Sequence, residues 1–196
     1  MKGKVTFTSF EINEIGAQVN PTDMTSLFKV FMQNRFDPST DSKTKIPDEP
    51  GNYILCLKPN ANLPKVPISL SFTNFDGLKV IYTGKTKTSL RKRVFGQHLE
   101  GNNAGKSTLR KSLGVLFGYK QVPRDKKPDS TKTKFGQADE EKLTVWMRNN
   151  LIMFFLPTPE FDGIEIELIN HFNPPLNIDN NNTEIRAWLK KMRSDK

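Results

Sequence analysis

"LKVIYTGKTKTSLRKRVFGQHLE" (78–100) changes character part-way along. Up to Gly84 it reads as a strand rich in β-formers that ends on a glycine. From Thr88 to about Glu100 it turns basic and reads as a helix, weakened by Gly96. A strand ending in Tyr-Thr-Gly thus delivers the chain into a helix that carries Arg91, Arg93 and His98.

Upstream, "NYILCL" (52–57) predicts a second strand. "ISLSF" (68–72) is a further strand candidate, made irregular by Pro64 and Pro67. Met24, Leu27, Phe28 and Phe31 share one face of a helix opening near Pro21–Thr22. "DPSTDSKTKIPDEPG" (37–51) reads as a polar, Pro-rich linker, so residues 1–50 are expected to form an extension.

Downstream, "GNNAGKST" (101–108) is a near-match to a phosphate cradle. It has three residues between its glycines where the cradle needs four, and a charged segment precedes it where a buried strand is required. We therefore exclude a nucleoside triphosphatase. Ser107 is a good N-cap for a helix with Leu109, Leu113, Leu116 and Phe117 on one face. Lys106, Ser107 and Arg110 gather at that helix N-terminus, either as a grip on a backbone phosphate or as an ordinary capped helix. "VPRDKKPDSTKTK" (122–134) reads as a loop, and "ADEEKLTVWMRNNL" (138–151) as a third helix. "LIMFFL" (151–156) predicts a buried strand. Helices follow from Phe161 to Phe172 and from about Thr183 to Arg193. This order predicts an α+β fold, a small antiparallel three-stranded sheet flanked by helices. The expected boundaries are 1–50 for the extension, 51–180 for the main domain and 181–196 for a C-terminal helix.

The 196 residues carry a net charge of +9, unevenly spread. Residues 51–135 hold 17 Lys/Arg against 4 Asp/Glu, while both flanks hold more acid than base. Such a concentration points to a polyanion, with DNA the expected partner and a solvated basic surface the alternative. Cys56 is the only cysteine and there are two histidines, which disfavours disulfides and a Cys/His zinc site. No stretch has the length of a signal peptide core or a membrane span, so a cytoplasmic protein without membrane contact is expected.

On the helix from Phe161, the residues Ile164, Leu168, Ile169 and Phe172 extend one apolar stripe. Glu165 falls inside it and Glu167 nearly opposite. A carboxylate on that stripe needs a neutralising partner, either a metal ion or a structural cation.

With "GNY" (51–53), "YTG" (82–84), "SLRKR" (89–93), His98 and "EIELINHFNPPLN" (165–177) in this order, the sequence resembles the GIY-YIG nuclease family. The resemblance spans roughly residues 50–180. Asn and Thr replace the middle Ile of the two tripeptides. The long spacing between them is similar to that of the family's restriction-enzyme branch. It implies an antiparallel sheet with Tyr53 and Tyr82 on adjacent strands, and a DNA endonuclease, in restriction or another defence role. The alternative is a nucleic-acid-binding module on the same fold. By resemblance, Glu165 holds Mg²⁺ (with Mn²⁺ as a substitute) and Arg93 offers its fork to the scissile phosphate, Arg91 being the second choice. Tyr53 or Tyr82 activates the water with His98 as helper, and Asn177 fixes the arrangement. His98 lies five residues after Arg93, one more than the family's common spacing. Lys85, Arg91, Lys106, Ser107 and Arg110 are the expected DNA contacts, and Lys85 is also a cation for the phenols.

Overall fold

The computed structural model describes residues 24–100, 104–125, 132–179, 181 and 183–194. Pro21–Thr22 and Gly101–Asn103 lie outside these residues. The chain runs through α1 (Met24–Gln33), β1 (Arg35–Phe36), a 3₁₀ turn (Lys43–Lys45), β2 (Gly51–Leu57), β3 (Asn74–Phe75) and β4 (Leu78–Thr86). A π-helix (Arg91–Leu99), a 3₁₀ turn (Ala104–Lys106), α2 (Thr108–Leu116), β5 (Gln121–Pro123) and β6 (Thr133–Phe135) follow. The remaining elements are α3 (Gln137–Asn150), β7 (Leu151–Pro157), α4 (Phe161–Phe172) and α5 (Glu184–Ser194).

The main sheet is antiparallel, in the order β1-β7-β2-β4-β3. Its three long strands are the three expected from sequence. The correction is at the edges, where β1 and β3 add two residues each. Two residues cannot show a period, so only tertiary pairing reveals them. β2 is central and buried at all seven positions, which explains its unbroken apolar character.

The sheet separates two apolar layers. On one face, Tyr53, Leu55, Leu57 and Tyr82 pack with Leu90 and Val94 of the π-helix region and with Leu109, Leu143 and Leu189 of α2, α3 and α5. On the other, Ile54, Cys56, Val80 and Phe154 meet Leu27 and Phe31 of α1 and Leu168 and Phe172 of α4. A bulge makes this division possible. Leu55 faces Tyr82 but Cys56 faces Val80, so Ile81 is the extra residue. The extra residue switches the side-chain parity of β4: Tyr82 points to the first layer and Val80 to the second.

Three irregular segments differ from expectation. Residues 68–72 form no strand; Ile68, Leu70 and Phe72, with Leu57 and Lys79, line an open groove. The polar stretch 37–51 is built into the domain, because Ile46 is fully buried and the Glu49 and Pro47 carbonyls accept from the Leu90 and Arg91 amides. The ends of the expected loop 122–134 pair as the β5–β6 ribbon.

Candidate active site

Both tripeptide glycines are set by close approach. Tyr53 and Gly84 are directly paired across β2 and β4. A Cβ on Gly84 would lie 2.4 Å from the Tyr53 hydroxyl, and one on Gly51 would lie 2.1 Å from the Leu156 carbonyl oxygen of β7. The Tyr53 ring therefore lies across Gly84, with the Tyr82 ring stacked at 6.3 Å. Asn52, in the middle position of the first tripeptide, points to the opposite face and donates to the Phe161 carbonyl at 2.9 Å, fastening α4 to the sheet.

The π-helix accounts for the long Arg93-to-His98 interval. Its hydrogen bonds run from residue i to i−5, as the Glu100 amide to the Phe95 carbonyl shows at 2.8 Å. A residue five positions on thereby returns to the face that a residue four positions on would hold in an α-helix. Arg93 and His98 share the face turned to the two tyrosines.

His98 is fully buried. Its Nε2 lies 2.8 Å from the Tyr53 hydroxyl and its Nδ1 lies 2.7 Å from Ser107 Oγ. Ser107 also accepts from the Arg110 amide and so caps α2. Burial, followed by the charges of Arg93 and Arg110, holds the imidazole pKa well below its usual value. The ring is neutral at pH 7. Burial also raises both phenols; the Arg93 charge opposes the rise and the Glu165 charge adds to it. Arg93 is partly buried, and its nearness to the two phenols outweighs that burial and secures its charge. Its Nη1 donates to Gln97 at 2.6 Å and, weakly, to the Lys106 carbonyl, while its buried Nε has no partner among the described residues.

Glu165 lies at the edge of the apolar stripe of α4, with Oε2 2.7 Å from Lys85 Nζ. Asp162, one turn earlier, contacts the same ammonium at 2.7 Å. Burial disfavours the Lys85 charge, but the two carboxylates outweigh it and raise the pKa. Asn177 accepts from the Thr83 amide at 3.0 Å and donates to the Thr83 carbonyl at 2.9 Å. That double bond clamps β4 between Tyr82 and Gly84.

Residues 51–195 match the family model of the GIY-YIG catalytic domain. The chain belongs to the GIY-YIG nuclease family. Membership implies endonuclease chemistry on DNA, and α5 falls within the matched span. No curated protein and no solved structure matches the chain.

In this GIY-YIG domain the oxygen donors available for a divalent metal ion are few. The described residues contain no group of three His, Cys, Asp or Glu side chains. Glu165 and Asp162 nevertheless already share one cation, the Lys85 ammonium. Two hard carboxylates, both reachable from solvent, fit an ion of the Mg²⁺ kind. Asp162 was not among the residues expected at the site; its one signal in the sequence is its place three residues before Glu165 on the same helix.

Two expected DNA contacts are corrected by burial. Arg110 is wholly buried and all five of its guanidinium N–H groups are taken: Nε and Nη2 by Glu140, and Nη1 by the His98 carbonyl and Thr144. Ser107 is buried beneath His98 and cannot reach a backbone phosphate. Arg91 turns its Nε to the Ile46 carbonyl at 2.7 Å, away from the paired phenols. Lys85 is engaged with α4, and Lys106 is exposed beside Arg93. No helix among the described residues is long and apolar enough to cross a membrane.

Proposed function

We propose that the protein is a Mg²⁺-dependent endonuclease that hydrolyses phosphodiester bonds in DNA, in a restriction or defence role and in the cytoplasm. One observation carries the reading: Arg93, only partly buried, stands beside two stacked phenols that keep its guanidinium charged. A charged, planar guanidinium in a partly desolvated site is a seat for phosphate oxygens.

The protein's own groups then divide the work. Arg93 binds the scissile phosphate and stabilises charge gathering on its oxygens. Tyr53 orients the attacking water and takes its proton as its own phenolic proton passes to His98 Nε2. Ser107 supports this transfer by accepting from Nδ1–H, which leaves Nε2 free. Tyr82 is the less suited of the two phenols, because His98 Nε2 is already engaged by the Tyr53 hydroxyl. Asn177 holds β4, and with it Tyr82 and Gly84, in register. Glu165, with Asp162 beside it, would hold the Mg²⁺, which would supply Lewis-acid stabilisation of the leaving oxygen.

A second reading rests on Lys85. Its ammonium neutralises both carboxylates, as in a purely structural ion pair, and that favours a binding module without cleavage. Incubating supercoiled plasmid with the protein, with Mg²⁺ or with chelator, separates the two. Nicked or linear product that depends on the metal supports the nuclease; binding without any product supports the module.

A further inference from the structure

α2 and α5 bring together cations that belong to none of the roles above. Arg193 of α5 is half-buried and reaches Ser112 of α2, Nη1 to Oγ at 3.4 Å. The residue before Ser112, Lys111, donates to Thr133 of β6. Thr133 in turn donates to Gln121 of β5, and Gln121 donates to the Met192 carbonyl beside Arg193. This ring of bonds fixes Lys111 and Arg193 side by side. Arg124 is anchored nearby through the Gly105 carbonyl, at 3.0 Å.

The charges in this cluster are poorly compensated. Among the described residues Arg124 pairs with Asp125, but neither Lys111 nor Arg193 is within ion-pair distance of a carboxylate. Asp179 acts on Arg193 only at longer range. Burial, then repulsion from Arg193 and Arg124, disfavours the Lys111 charge. Burial likewise disfavours the Arg193 charge; α2 and α5, through Leu109, Leu113 and Leu189, pack on the tyrosine side of the sheet. Two partly desolvated cations held together by hydrogen bonds, with no acid between them among the described residues, are costly unless an anion joins them.

We infer that Lys111 and Arg193, with Arg124 at the margin, form a second phosphate seat that grips a backbone phosphodiester of the DNA away from the scissile bond. The inference rests on the reading of the protein as a DNA-acting enzyme. It also gives α5 a task, since that helix supplies a cation that the sheet and the π-helix cannot.

The test is anisotropy of a labelled short duplex without divalent metal, with the full chain, from 50 to 200 mM salt. Each contacted phosphate contributes about 0.9 to the slope of log affinity against log salt. K111Q and R193Q are each expected to lower that slope by about 1, whereas R193K keeps it and K29Q, at an exposed site on α1, leaves it at the wild-type value. Melting curves check folding, and if R193Q does not fold, K111Q and R193K decide. Wild-type slopes in K111Q and in folded R193Q overturn the second seat while leaving the DNA reading intact. A wild-type protein whose duplex affinity ignores salt overturns both.

Discussion

Tyr53 occupies the space that a side chain at Gly84 would need, and from there its hydroxyl meets His98 Nε2 at 2.8 Å. The second tripeptide's glycine thus sets the position of the first tripeptide's tyrosine. Gly84→Ala should displace the phenol and strain the sheet by about 1–3 kcal/mol. Cleavage should fall much further than the melting temperature. Plasmid nicking and thermal melting of the same variant check this, and normal activity in Gly84→Ala would contradict the packing.

The neutral, buried His98 has a pH signature. Its pKa is depressed in the folded state relative to the ordinary 6.5, so below that value the unfolded chain binds more protons. Its contribution to stability is therefore complete above about pH 6.5 and shrinks as pH falls toward the folded value. Melting temperatures should drop between about pH 6.5 and 5, and His98→Gln should flatten that part of the profile. An unchanged profile in the variant would place the titration elsewhere.

Arg110 and Glu140 test the correction made by burial. Removing the arginine alone, in Arg110→Met, leaves a buried carboxylate uncompensated and should cost about 3–5 kcal/mol. Adding Glu140→Met should recover much of that loss. Chemical denaturation of both variants measures the difference; a single variant as stable as wild type would mean that the pair is hydrated.

Glu165→Gln should stop cleavage while duplex affinity stays equal or rises, since a negative charge near the phosphates has gone. Stability should change by no more than about 1 kcal/mol, because the Lys85 pair is partly exposed and Asp162 remains. Cleavage by folded Glu165→Gln protein would remove the metal-ligand role.

What the sequence disclosed follows from period and length. The three long strands and the helices carry patterns of six residues or more, and within the described residues each is found close to where it is expected. β1 and β3 are too short to carry one, and Ile46 sits alone in a polar run that only tertiary contact can identify as core. Motif order picked out the tyrosines, Arg93, His98 and Glu165, and the structure brings the two tyrosines, Arg93 and His98 together. The partnership of His98 with Ser107 was not, because a Ser before a helix looks the same whether it only caps or also binds a ring nitrogen. Arg110 misled for a related reason: a cation near a helix N-terminus resembles a phosphate contact until Glu140, thirty residues away, is seen beside it.

In the proposed mechanism Arg93 acts on the scissile phosphate more than on binding. Supercoiled-plasmid cleavage by wild type and Arg93→Ala, with duplex affinity measured in parallel, tests it most directly. The expected result is metal-dependent cleavage by wild type, a loss of about 100-fold or more in the variant, and affinity within a few-fold, because many other cations share binding. Equal losses in cleavage and affinity, or a variant that cuts like wild type, would contradict it.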